Sequence, residues 1–117
     1  SSVHAGLFGC SYGATIRSVV LGSSCSIVNS FSGSSSVYVG SVIGYCQASN
    51  DPYAIENTVN MASVSFIGST GYNLNLGGIA GCLWASNKDV TVKNCANYGS
   101  VTHSGEAKYA DIGGIVG

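Results

Sequence analysis

Apolar residues along this chain alternate with polar ones over short stretches, and nowhere recur at the three- and four-residue spacing of an amphipathic helix. Val37-Tyr38-Val39, Val64-Ser65-Phe66 and Val90-Thr91-Val92 each show the period of two, and Gly, Ser and Asn bound them. The aliphatics are 13 Val and 8 Ile against 5 Leu. Side chains branched at Cβ are stiff at χ1 and pack well on a pleated surface, whereas the good helix formers are scarce or scattered here. The pattern predicts many short strands and almost no helix.

The pattern also repeats. Gly6-Leu7-Phe8-Gly9 recurs as Ser41-Val42-Ile43-Gly44, Gly78-Ile79-Ala80-Gly81 and Gly114-Ile115-Val116-Gly117, with final glycines 35, 37 and 36 positions apart. Ile55 to Val64 lies over Val92 to Val101 at an interval of 37, placing Asn57 over Asn94 and Asn60 over Asn97. In the more degenerate first copy, Ser24 to Phe31 is the best partner, through Cys25 over Cys95. Units near 10–44, 45–81 and 82–117 follow, each with about three strand-like runs and each too short to bury an apolar face alone. Stacked in parallel, they bury their inward residues continuously. The expected fold is all-β: a β-solenoid, as a right-handed parallel β-helix of about three coils, each of ~36 residues, in one domain spanning 1–117. At ~4.8 Å per coil, three coils rise about 15 Å.

The tetrads, with Asn94-Cys95-Ala96-Asn97-Tyr98-Gly99-Ser100-Val101 upstream of the last, resemble GLUG-motif repeats, named for Gly-Leu-hydrophobic-Gly. The resemblance covers nearly all of the chain; Ser41 departs from it by replacing the first Gly. Such repeats occur in tandem in large secreted and cell-surface proteins, including bacterial adhesins and the non-catalytic part of an immunoglobulin-A-cleaving metallopeptidase. The resemblance implies an extracellular β-helical stalk or surface module, with no enzymatic residues to carry over.

Composition narrows the function classes. At 117 residues the chain is one domain, and charged residues make up 8% of it where soluble domains carry about 25%. A net charge of −1 and four Lys and Arg provide no footprint for nucleic acid. No apolar run approaches the ~20 residues that span a bilayer, so no membrane span is expected. With no initiator Met and no apolar signal region at Ser1-Ser2-Val3-His4, the chain reads as a processed product or a piece of a longer tandem-repeat or polymeric protein.

Gly6, Gly9, Gly44, Gly78, Gly81, Gly114 and Gly117 are expected at bends or close backbone approaches, where a Cβ would clash or φ is positive. No Lys-Ser or Lys-Thr follows them, as a phosphate loop would require. The pairs Asn57/Asn94 and Asn60/Asn97 are either stacked amide ladders or ordinary turn residues. Cys10, Cys25, Cys46, Cys82 and Cys95 are an odd set: buried packing and disulfides, within the chain or between subunits, both remain open. Cys10 and Cys82 share a repeat position, and Cys46 falls one position later, on the opposite face of its strand. No Cys-x-x-Cys is present and His4 and His103 stand away from the cysteines, so neither a zinc site nor any other cofactor is expected.

Asp51, Glu56, Asp89, Glu106 and Asp111 do not fall in phase, and Ser104, His103 and Glu106 share one loop rather than a triad geometry. The chain is therefore read as no enzyme. Variable segments at Gly33–Ser36, Gly68–Tyr72 and Ser104–Tyr109 differ while the strands keep step, and Tyr38, Tyr72 and Tyr109 lie near them as candidates for contact with sugars or a neighbouring filament. The leading reading is a structural, adhesin-like part of an extracellular surface structure that stacks end to end with copies of itself or in tandem. The rival is a carbohydrate-binding or polysaccharide-processing β-helix. Ice binding would need Thr in register, and Thr15, Thr58, Thr70, Thr91 and Thr102 are not expected to align.

Overall fold

The structure, a computed structural model, describes residues 2–117, which form seventeen strands and no helix. They wind a β-solenoid of three coils and the start of a fourth, with five walls. The first wall stacks Ser2–Ala5, Ser36–Gly40, Ser69–Gly77 and Glu106–Gly113, and Ser32–Gly33 pairs with the start of Ser69–Gly77. The second stacks Phe8–Tyr12, Ile43–Ala48 and Ala80–Ala85; the third Thr15–Arg17, Tyr53–Glu56 and Val90–Lys93. The fourth, only two residues wide, stacks Val20–Leu21, Val59–Asn60 and Ala96–Asn97, and the fifth Ser26–Asn29, Ser63–Phe66 and Val101–His103. Every pairing is parallel. Five walls replace the three strand-like runs read from each unit; the strands of the fourth wall, two residues long, are too short to show a period of two.

Register ties the repeat to the stack. Phe8 pairs with Ile43, Ile43 with Ala80, and Ala80 with Val116, so the four tetrads lie one above another. Cys10, Tyr45 and Cys82, at the starts of the three units, occupy one column. Val92 pairs with Ile55 and Val101 with Val64, at the interval of 37 seen in the sequence.

The first coil departs from the alignment that put Cys25 over Cys95. Ile27 pairs with Val64, and Val64 with Val101, which sets Cys25 beside the turn at Ala62 instead. The cause is compensating turn length. Two residues, Gly13 and Ala14, join the second and third walls in the first coil, where Ser49–Pro52 and Ser86–Asp89 do so above. The first coil recovers the deficit with Gly22–Cys25, a turn in which Cys25 N donates to Gly22 O at 3.1 Å, against Met61–Ala62 in the second. The short turn needs the left-handed region, and Gly13 has φ +64°.

The interior has two lobes. One packs Val37, Val39, Leu74 and Leu76 of the first wall against Val64 and Phe66 of the fifth. The other packs Val42, Ile43, Cys46, Ala48, Ile79 and Ala80 at the second wall against Tyr53 and Ile55 of the third. Alternate strand positions fill the first lobe, while at the tetrads the consecutive pairs Val42-Ile43 and Ile79-Ala80 are both buried.

Candidate functional site: the waist and the outer faces

The lobes meet at a waist, where Gly78 faces Asn97 of the fourth wall and the other crowded tetrad glycines face backbone of the first wall or of the neighbouring tetrads. A Cβ on Gly78 would overlap the Asn97 carboxamide and the Gly114 carbonyl. A Cβ on Gly44 would stand 2.7 Å from Ala5 N, 2.8 Å from Gly9 O and 2.9 Å from Tyr38 O. Gly6, Gly81 and Gly117 face backbone as closely. The positive φ allowed for these positions is absent from all of them: among the described residues only Gly13, Ser18, Asn57 and Asn94 have it. Gly9 and Gly114 are not crowded either, since Gly9 has nothing nearer than 3.7 Å and Gly114 nothing within 4 Å. Each crowded position owes its crowding largely to a neighbouring coil, which explains why these two members of the stack are spared.

On the fourth wall, with Asn97 opposite Gly78, Asn60 and Asn97 form an amide ladder. Asn60 is fully buried; its Nδ2 donates to Ala62 O at 2.9 Å and to Asn97 Oδ1 at 2.8 Å, and its Oδ1 accepts from Ala62 N at 3.0 Å. Asn97 repeats the turn bridge, with Nδ2 donating to Gly99 O at 3.0 Å and Oδ1 accepting from Gly99 N at 3.1 Å. The carboxamide thus folds the corner between the fourth and fifth walls and joins coils. The first coil has Leu21 in this column, and folds its corner with the longer Gly22–Cys25 turn. The second pair bonds at 3.3 Å, from Asn94 Nδ2 to Asn57 Oδ1, on the exposed side. Asn57 and Asn94 have φ of 51° and 53°, and Ser18, next to Arg17 in the same register, has 59°. Asn tolerates this region better than other residues with a Cβ, which is the local reason for Asn here.

No disulfide joins the five cysteines. Cys10 and Cys82 are two coils apart, about 9.6 Å, beyond the reach of a disulfide. Cys46 points into the core while Cys10 is exposed. Burial pushes the Cys46 thiol up to about 12. Cys25 is exposed, and Cys95 is half-buried with its Sγ 3.4 Å from Ile55 O.

Two outer faces carry chemistry. On the third wall Arg17, Glu56 and Lys93 form one column of alternating charge, with Arg17 Nη2 3.9 Å from Glu56 Oε2. Alternation is what a stacked column requires, because like charges facing each other repel. The neighbouring column holds Thr15, Ala54 and Thr91, so two of the threonines do share a column, interrupted by Ala54.

The second face lies at the bend between the first and second walls. His4 and Tyr38, outward on the first wall, meet Tyr45, outward on the second: ring centroids are 5.6 Å apart for His4–Tyr38, 5.2 Å for His4–Tyr45 and 5.3 Å for Tyr38–Tyr45. Side chains that both point away from the core touch only where the walls fold toward each other outside, so this corner is re-entrant. Burial there lowers the pKa of the His4 imidazole and raises that of Tyr45. Two residues further along the second wall, Tyr12, Gln47 and Trp84 make another outward column. Alternation marks each of these residues as outward, but the meeting of Tyr38, Tyr45 and His4 depends on the angle of the bend, which no sequence spacing reveals. Of the tyrosines singled out by sequence, Tyr38 belongs here; Tyr72 and Tyr109 stay exposed near the variable segments, Tyr72 beside a polar hollow lined by Ser34, Ser35 and Ser36.

His103 is in a strand, half-buried, its ring 5.7 Å from that of Phe66. Among the described residues no group of three His, Cys, Asp or Glu gathers as metal ligands would. Among the described residues no helix is long and apolar enough to cross a membrane. Comparison with protein-family models, with curated proteins and with solved structures gives no match to this chain.

Proposed function

We propose that the chain is a structural, non-enzymatic segment of an extracellular surface structure, a GLUG-like stalk or fibre extended coil on coil through its two ends. The observation that carries this reading is the contrast between middle and ends. In the column Val39, Leu76, Ile112, the first two are fully buried and Ile112 is 51% exposed. At the other end Val3, Ile16 and Ile27 are half-buried, while their second-coil partners Val37, Ile55 and Val64 are fully buried. Two apolar cross-sections edged with parallel strands are surfaces on which a further coil gains both hydrogen bonds and burial.

The ladder gives the stack a direction. Asn97 spends one amide hydrogen on Gly99 O, as Asn60 spends one on Ala62 O. By the same geometry its second hydrogen is directed beyond the third coil and needs an acceptor there. A coil like that of residues 36–68 brings Asn60 to this column, whereas the first coil of another copy brings Leu21. A tandem coil of the second kind therefore adds one side-chain hydrogen bond to the burial and strand pairing that a stacked copy of the chain also supplies.

The isolated 117-residue chain tests the role of the ends through light scattering over a concentration range, with electron microscopy of the product. Assembly along the coil axis is expected, and Ile112→Lys weakens it while Val28→Lys, on the outer face of the fifth wall, leaves it unchanged. Discrete monomers at every concentration would contradict end-on stacking as the use of these faces.

A further inference from the structure

We propose that the outer face of the second wall, with the re-entrant corner beside it, binds a neutral oligosaccharide. Tyr12 and Trp84 are 68% and 55% exposed and stand in one column two coils apart, about 9.6 Å. That separation is close to the length of a disaccharide, so two flat aromatic platforms are set at a spacing at which alternate sugar rings of one chain lie over both. Between them sits Gln47, whose Oε1 accepts from Tyr45 Oη at 3.3 Å, leaving its two amide hydrogens to donate to sugar hydroxyls. Tyr45, stacked on His4 and tilted against Tyr38, walls the site on one side and bonds to Gln47. Aromatic faces combined with a few fixed polar groups are the usual composition of a site for a ligand that is apolar on its ring faces and polar at its rim.

Charge fixes the class of sugar. The three strands Phe8–Tyr12, Ile43–Ala48 and Ala80–Ala85 contain no charged residue. The adjoining outward column runs His4, Tyr38, Asn75, Asp111: burial disfavours the cationic form of the His4 imidazole, and Asp111, 3.5 Å from Asn75 Nδ2, would repel an acidic sugar. An uronic or sulfated chain meets no cation on this face, whereas a neutral hexose polymer loses nothing by covering it. A second copy of the chain would be served by continuous apolar contact, and here a hydrogen-bonding amide separates the two rings.

Trp84 is the sole tryptophan of the chain and sits in the site, so its fluorescence reports occupancy. The 117-residue chain is titrated with cellohexaose, chitohexaose and mannohexaose, and with hexagalacturonate as the acidic counterpart, with calorimetry in parallel. At least one neutral hexaose is expected to saturate with a shift in Trp84 emission. Tyr12→Ala, at an exposed position, is expected to weaken that binding about tenfold, the worth of one stacking contact. Tyr98→Ala, exposed elsewhere, leaves it unchanged. The proposal fails if no neutral hexaose saturates, if hexagalacturonate binds as well, or if Tyr12→Ala leaves the affinity intact. It fails equally if Tyr12→Ala abolishes self-association while sugars have no effect, which would make the face a contact between copies.

Discussion

Asn60→Ala removes the most connected side chain of the waist. The residue is fully buried and makes three hydrogen bonds, two to the backbone of Ala62, itself fully buried, and one to Asn97. A hydrogen bond contributes about 1 kcal/mol net, and a buried group left without its partner costs about 1–3 kcal/mol. With Ala62 N–H and C=O both orphaned, the expected loss is about 3–4 kcal/mol, against a total of about 5–15 kcal/mol for a domain. Asn97→Ala breaks a similar set where water replaces part of it, and costs about 1–2 kcal/mol. The double variant isolates the rung: the two changes share one bond, so their effects fall short of additivity by about 1 kcal/mol. Urea unfolding followed by Trp84 emission and by circular dichroism measures all three. A loss below about 1 kcal/mol for Asn60→Ala, or full additivity, would refute the waist as a hydrogen-bonded seam.

Gly44→Ala, with backbone atoms 2.7 to 2.9 Å from the new methyl, is expected to lower the thermal midpoint sharply, while Gly71→Ala, with open space around it, leaves it unchanged or slightly raised. With its thiol raised to about 12, Cys46 is neutral in the folded chain and resists alkylation at pH 8, while exposed Cys10 and Cys25 are modified; mass spectrometry of the alkylated protein distinguishes them. A raised pKa in the folded state means the unfolded chain loses its proton first, so Cys46 contributes stability fully below about 9 that is lost as pH rises toward 12; Cys46→Val flattens the alkaline limb of the stability profile. Glu56→Lys puts three cations in the column with Arg17 and Lys93, and destabilises more at low salt than at high salt in thermal melts.

The repeat and its register were legible because Gly6, Gly44, Gly78, Gly81 and Gly117 stand where a Cβ would collide, and Asn60 and Asn97 at corners their own amides fold. Both are backbone requirements and recur with the coil. The first coil was less legible at its turns, since Gly13-Ala14 is short, Gly22–Cys25 is long, and Leu21 replaces the ladder Asn. An alignment by residue likeness therefore slid Cys25 onto Cys95. Strand alternation placed Cys46 opposite Cys10, but it could not place Tyr38 against Tyr45, because the sense of the bend at Gly40–Ile43 is set by how the two walls pack around the waist. His103 read as a loop residue because a three-residue strand followed by Ser104-Gly105 carries little periodic signal, yet it packs against Phe66.

Under the proposed function, further coils cover the ends of this stack. Cryo-electron microscopy of the native assembly containing this chain tests it most directly. The account predicts an unbroken axial spacing of ~4.8 Å through both ends, with Ile112 buried and the Asn97 amide bonded to an acceptor in the coil beyond. Discrete particles in which these apolar ends face solvent, or are closed by a structure other than a parallel coil, would contradict it.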